Sequence, residues 1–213
     1  MRLTAGPSPG KEPLIVTLLI EEVMPSFQER ISHAGVFTTP PSRCLEAALH
    51  LNVMRYRVVC ALIAARSLPE GGQPLRTLRI ADMTEPPLSW LKLGERPGRE
   101  IVLGQIARPW QRGGERMFPI SVEEFRRFGR PGYAKIVLSV HAEPRDPGVS
   151  QLTIETRVWV TDAESRRRFG RYWVLVGPFS GVIRRLAMRA LASQLGRPVR
   201  REIEGEIHEA QAL

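Results

Sequence analysis

All but three of the chain's 31 basic residues are arginines, and ten of them fall between Ala163 and Arg201 against a single acid, Glu164. Such a run suits two roles: the solvated back of a helix, or a cationic surface for phosphates or an anionic membrane, whose binding would fall steeply with salt. The segment has few aromatics to stack on bases and no known nucleic-acid module, so the solvated back is favoured and nucleic acid is a disfavoured partner. Acid–base chemistry would need other groups. His33 and His141 sit in predicted strands and could meet as a pair, yet no acid or cysteine stands beside them at metal-ligand spacing. Neither a metal nor a cofactor is predicted. Glu155 and Arg157, two apart on one strand, share a face and are read as a solvated charge ladder turned away from the apolar side. Ser180, in PFSGV, lacks the glycine and the preceding strand of a nucleophile elbow. Asp82, Glu85 and Glu95 form no carboxylate dyad, and GRPGYAK and RGGER lack phosphate-loop spacing.

The elements that would position these residues follow from periodicity. A helix over residues 15–24 stops at Pro25, because proline disfavours helical geometry in the residue before it. Phe27 to Thr38 alternates, with Phe27, Ile31 and Phe37 on one side, and reads as a strand. Thr39 is placed to cap a helix through PPSRCLEAALHLN whose stripe is Leu45, Ala48, Leu49 and Val53. A second helix covers Tyr56 to Ser67. After a segment punctuated by GG and PP, with a short helical stretch at Leu78–Met83, come a hairpin (Leu88–Arg96 and Arg99–Ala107 across Pro97-Gly98) and a loop holding Trp110 and Phe118. A short helix, Val122–Phe128, follows, capped by Ser121 with Glu124 in capping-box position. Tyr133–Glu143 and Gln151–Val160 are the last strands. Thr161 or Asp162 caps a long helix reaching Ala192, whose apolar stripe is Phe169, Trp173, Val176, Ile183, Leu186, Ala187, Ala190 and Leu191. Pro178 removes an amide donor inside that helix and predicts a kink or break at Gly177-Pro178.

A 213-residue chain with 43% hydrophobic and 25% charged content is ordinary for one globular domain. Its net charge of +9 is localised to the arginine-rich stretch, and the sign reverses in the tail at Glu202, Glu204, Glu206 and Glu209. The arginine excess fits a genomic composition bias as well as a functional choice. Residues 1–13 read as a disordered segment and 196–213 as a charged tail around one domain over 14–195. Cys44 and Cys60 read as free thiols in apolar helices. The apolar run from Leu14 to Ile20 is too short to span a bilayer and has no cleavage site, so a cytoplasmic protein is expected. Oligomeric state is not legible.

Antiparallel strands with one apolar side and a helix with a matching stripe predict an α+β domain in which the helix packs across a curved sheet. FTTPPSRCLEAAL, GREIVLGQIARPW, PGYAKIVLSV, LTIETRVWVTD and RRRFGRYWVLVGPFSGVIRRLAMRAL together resemble the helix-grip fold of the START-like (SRPBCC) superfamily, in an uncharacterised bacterial branch. The resemblance spans Pro25 to Leu195. It implies a curved antiparallel sheet wrapped around the C-terminal helix, with two short helices after the first strand, and between them a cavity for a hydrophobic or aromatic small molecule. The expected lining is Trp90, Leu103, Ile136, Leu138, Ile154, Thr156, Val158, Tyr172, Trp173 and Val176, a mostly apolar set with a few polar groups. The superfamily also hosts polyketide cyclase-like enzymes, so a cyclase or aromatase is the rival expectation, and no catalytic residue is assigned.

Overall fold

The computed structural model describes residues 17–67, 76–111, 114–119 and 121–195. Among the described residues, α-helices and strands follow one another as α1 (Leu19–Val23), β1 (Glu29–Phe37), α2 (Pro41–His50), α3 (Arg57–Ser67), β2 (Leu91–Arg96), β3 (Glu100–Ala107), β4 (Arg116–Met117), α4 (Val122–Arg127), β5 (Ala134–Asp146), β6 (Val149–Val160) and α5 (Ala163–Leu195). The expected disordered N-terminal segment and charged tail lie outside the described residues.

All strand pairs are antiparallel and form one sheet in the order β1-β6-β5-β3-β2, with the two-residue β4 added to β3. The predicted α+β class is what the chain adopts. β5 and β6 are longer than the sequence pattern suggests, because EPRDPGVS is a tight hairpin rather than a loop, and Gly148 supplies the positive φ (74°) its turn requires. Opposite residues in an antiparallel pair share a face, so the register sorts the side chains. His33, Ile154, Val140 and Ile101 stand across neighbouring strands on one face, and Ile31, Thr156, Leu138 and Leu103 stand beside them on the same face. Arg30, Arg157 and Val137 stand on the other, with Ser32, Glu155, Ser139 and Val102.

α2 and α5 cover the first face. Phe37, Cys44, Leu45, Ala48, Leu51, Val140, Leu152 and Ile154 pack there with Ala187, Met188, Ala190 and Leu191. α5 is one uninterrupted helix of 33 residues, about 50 Å long, and it runs through Pro178 without the predicted break. Asp162 is its cap, accepting from the Ser165 amide at 2.9 Å, and its second oxygen accepts from the Gly132 amide at 2.6 Å. These bonds hold its carboxyl down at about 2. Thr39 does not cap α2; Pro40 occupies that position, and the Thr39 hydroxyl donates instead to the Leu195 carbonyl, tying the end of α5 to the start of α2.

The second face is covered too, which the alternation pattern did not anticipate. α1 and α4 lie on it, and Ile20, Val23, Met24, Leu93, Val102, Ile106, Phe125, Tyr133 and Val137 form a second core. Phe27 belongs to that core's edge and not to the side of Ile31 and Phe37, because regular pairing starts only at Glu29. Gly104 leaves the space that the side chains of Leu93 and Phe125 fill. Ser121 caps α4 as expected, its oxygen accepting from the Glu124 amide.

Candidate functional site

On the α5 side the two layers do not close completely. A cavity of about 180 Å³ remains between them, bounded by Leu138 of β5 and Ile154 of β6, by Ala48 and Leu51 at the end of α2, and by Ser180, Ile183, Arg184, Ala187 and Leu191 of α5. The fourth wall is the segment Leu78, Arg79, Ile80 and Met83, folded as a single 3-10 turn over Ile80–Asp82 and tied back by the Val53 amide on the Leu78 carbonyl. Asn52 fixes the same junction, its side-chain oxygen accepting from the amides of Met54 and Leu78 at 3.1 Å each.

The lining is apolar apart from Ser180, Arg79 and Arg184. The Arg184 side chain turns inward: Nη1 donates to the Ser180 hydroxyl at 2.9 Å and Nη2 to the Thr156 hydroxyl at 2.7 Å. Desolvation pulls the guanidinium of this half-buried residue down from its ordinary value to about 10, so it is cationic at neutral pH but disfavoured by its surroundings. Arg79 stands at the rim with Nη1 4.0 Å from Asp82, while its Nε is buried without a hydrogen-bond partner.

Of the ten residues expected to line a cavity, Leu138 and Ile154 do so, and Thr156 contributes through its bond to Arg184. Ile136, Val158, Tyr172 and Trp173 belong to a separate packed cluster at the N-terminal end of α5, where Trp173 stacks on Phe169 with ring centroids 5.3 Å apart and Trp110 meets Phe169 edge-on. Leu103 is fully buried beside Leu138, Val176 is half-buried on α5, and Trp90 is half-buried at the start of β2; none borders the cavity. The apolar stripe faces the sheet as its spacing predicts, but the open space begins about two turns further along it than Trp173. Arg184 departs from the solvated helix back expected of the arginine run, for a reason visible in spacing: Ser180, Arg184, Ala187 and Leu191 recur at four, three and four, the same face that buries Ala187 and Leu191.

Glu155 and Arg157 do point away from the cavity, but they are not solvated. Each side chain is only 3% exposed beneath α1. Arg157 donates to Glu155 at 2.7 Å, to the Met24 carbonyl at 2.8 Å and with both Nη atoms to Glu21, while Arg30 closes on the other Glu155 oxygen at 2.9 Å. His33 and His141 do not meet: His33 pairs with Ile154 on the cavity face and His141 with Thr153 on the opposite one. Burial holds the His141 imidazole below its ordinary value, opposed in part by Glu100, Glu143 and Glu155. Cys44 is buried and Cys60 half-buried, both as free thiols. Among the described residues no group of His, Cys, Asp and Glu could hold a metal ion, and no helix is long and apolar enough to cross a membrane.

No protein-family model matches the chain, and no curated protein matches it either. The functional reading therefore rests on the cavity and its lining.

Proposed function

We propose that the protein is a START-like, helix-grip domain that binds a hydrophobic small molecule beneath α5, in keeping with the expected cytoplasmic location. The observation that carries the reading is the space itself. Protein interiors normally pack to leave few voids larger than a water molecule, and about 180 Å³ walled by Leu51, Ile80, Leu138, Ile154, Ile183 and Leu191 is of the size that admits a single aromatic ring. The layout supports the family resemblance, with α5 lying against the sheet and two helices inserted after β1.

The test is native mass spectrometry of the purified protein, with titration of apolar probes of one-ring size. Co-purified ligand or saturable uptake is expected. Uptake that is absent, or that scales linearly without saturating, would overturn the reading. The cyclase or aromatase reading is weaker, because proton transfer needs an acid or base beside the reacting atoms, and among the described lining residues the titratable groups are two guanidiniums. The arginine-rich helix as a binder of anionic surfaces gains one feature in favour of a membrane. Val174 and Leu175 stand 81% and 69% exposed between Arg167 and Arg171 on one side and Arg185 and Arg189 on the other, an apolar turn framed by cations. Co-sedimentation with anionic but not neutral vesicles is the corresponding check, and equal pelleting with both would remove it.

A further inference from the structure

We infer that the ligand is an anion: a carboxylate on a compact apolar body, the size of a single-ring aromatic acid or a medium-chain acyl acid, with its carboxylate seated on Arg184. This rests on the proposed cavity function and adds the chemical class.

Three features of the site lead there. First, the guanidinium has five N–H donors, and the two bonds it makes go to neutral hydroxyls, Ser180 and Thr156. No carboxylate pairs with it among the described residues, in contrast to Arg157 on β6, which pairs with Glu155 and Glu21. A half-buried cation turned into an apolar space is disfavoured unless something supplies a counter-charge. Second, the two hydroxyls hold the planar fork from adjacent elements, α5 and β6, so its orientation is set before a ligand arrives, and a guanidinium fork matches a carboxylate in bidentate geometry. Third, the charge balance of the walls has one sign. Arg79 adds a second cation at the rim with a buried, unpartnered Nε, and no acidic side chain lines the space. Arg79 is itself paired with Asp82 at 4.0 Å, so the uncompensated charge of the lining is that of Arg184. Everything else in contact with the space is apolar, which fits a ligand whose remaining atoms are hydrocarbon. Volume bounds the part of the ligand that is enclosed: about 180 Å³, in a space open on one side, compares with the engineered 150 Å³ void that takes up benzene.

The experiment compares acids with neutral isosteres on the full chain at neutral pH by calorimetry: octanoate against octanol, and phenylpropionate against phenylpropanol. The acids are expected to bind on the order of tenfold more tightly than their alcohols, the usual yield of a charge-assisted hydrogen-bonded pair. Arg184→Met should erase that preference while leaving alcohol binding equal or stronger. Octanoate against phenylpropionate then separates an acyl from an aromatic body. Alcohols that bind the wild type as tightly as the acids overturn this inference and leave the cavity reading standing. A preference that survives in Arg184→Met overturns the assignment to that residue. Saturable binding of neither acid nor alcohol overturns both. If Arg184→Met does not fold, the wild-type comparison of acid with alcohol still decides.

Discussion

Arg157 and Arg184 sit on opposite faces of the same sheet, both turned into the protein, and the fold treats them in opposite ways. Around Arg157, burial acts to pull the guanidinium pKa down, but hydrogen bonds to Glu21 and Glu155 more than offset this and the net shift is upward. Around Arg184, burial acts against two hydroxyls alone and the pKa falls to about 10. One cation is completed by the chain itself. The other is left with donors to spare beside an open space. A charge with two carboxylates and a backbone carbonyl within 3 Å is architecture, whereas a charge whose partners are neutral is a place where a counter-ion can still arrive. The geometry of the covering elements produces the difference: α1 brings Glu21 down onto Arg157, while α5 presents to Arg184 only Ser180 from its own preceding turn.

The largest expected effect tests the completed side. Arg157→Met removes the hub of a four-member network and leaves Glu155, 3% exposed, as a buried carboxylate facing only Arg30. Removing one partner of a buried pair typically costs about 3 to 5 kcal/mol, and that loss is expected in urea denaturation at neutral pH. The same network gives an acid limb whose sign is fixed. The hydrogen bond from Arg157, against the opposing effect of partial burial, holds the Glu21 carboxyl below its ordinary 4.5. Its contribution is therefore fully present above about 4.5 and lost as pH falls through the lower folded value. In Arg157→Met that part of the acid limb should flatten, and an unchanged pH dependence together with a loss under 1 kcal/mol, a magnitude typical of surface pairs, would show that the network is ornamental.

The contrast between the two arginines also marks where sequence reasoning reaches its limit. Ala187, Ala190, Leu191, Leu138 and Ile154 could be assigned to a shared interior because period 3.6 on α5 and period 2 on β5 and β6 are local properties. The covering of the second face could not. It depends on α1, a five-residue helix too short to show a stripe, whose Glu21 lies 136 residues from its partner Arg157. Alternation therefore suggested a solvated ladder at Glu155 and Arg157, where β6 is buried on both faces. Arg184 is the intermediate case. Its spacing from Ala187 and Leu191 put it on the buried side, but the ten-arginine charge count argued for the outside, and residue type outweighed periodicity. Tyr172 and Trp173 fit either a cavity lining or a packed core by type and spacing, and they pack in the core around Phe169, since large rings close space as readily as they line it. The wall at Ile80–Met83 shows locally only as a short helical stretch; its place over the cavity is set by contacts distant in sequence, the bonds at Val53 and Asn52 and the packing of Ile80 against the core.

The smallest expected effect concerns the stability of the ligand-free protein with Arg184→Met, and it decides the comparison because little should happen. Methionine keeps the length of the side chain and fills an apolar surround with a flexible apolar one. It also removes a cation that burial disfavours, a change that is often neutral or stabilising when no partner charge is stranded. Two hydrogen bonds are lost with it, at Ser180 and Thr156, each worth about 1 kcal/mol net. Ser180 lies in a helix, where its hydroxyl can turn to the carbonyl one turn back, so that loss is partly recovered. The opposing contributions leave the variant within about 1 kcal/mol of wild type by urea denaturation. A loss as large as that of Arg157→Met would mean that Arg184 is as much a structural hub as Arg157, with the hydroxyls as its true partners and no position left open for an anion. A near-zero change, set beside several kcal/mol at Arg157, would mean that the fold does not need the Arg184 charge, and that its place in the cavity wall answers to a ligand.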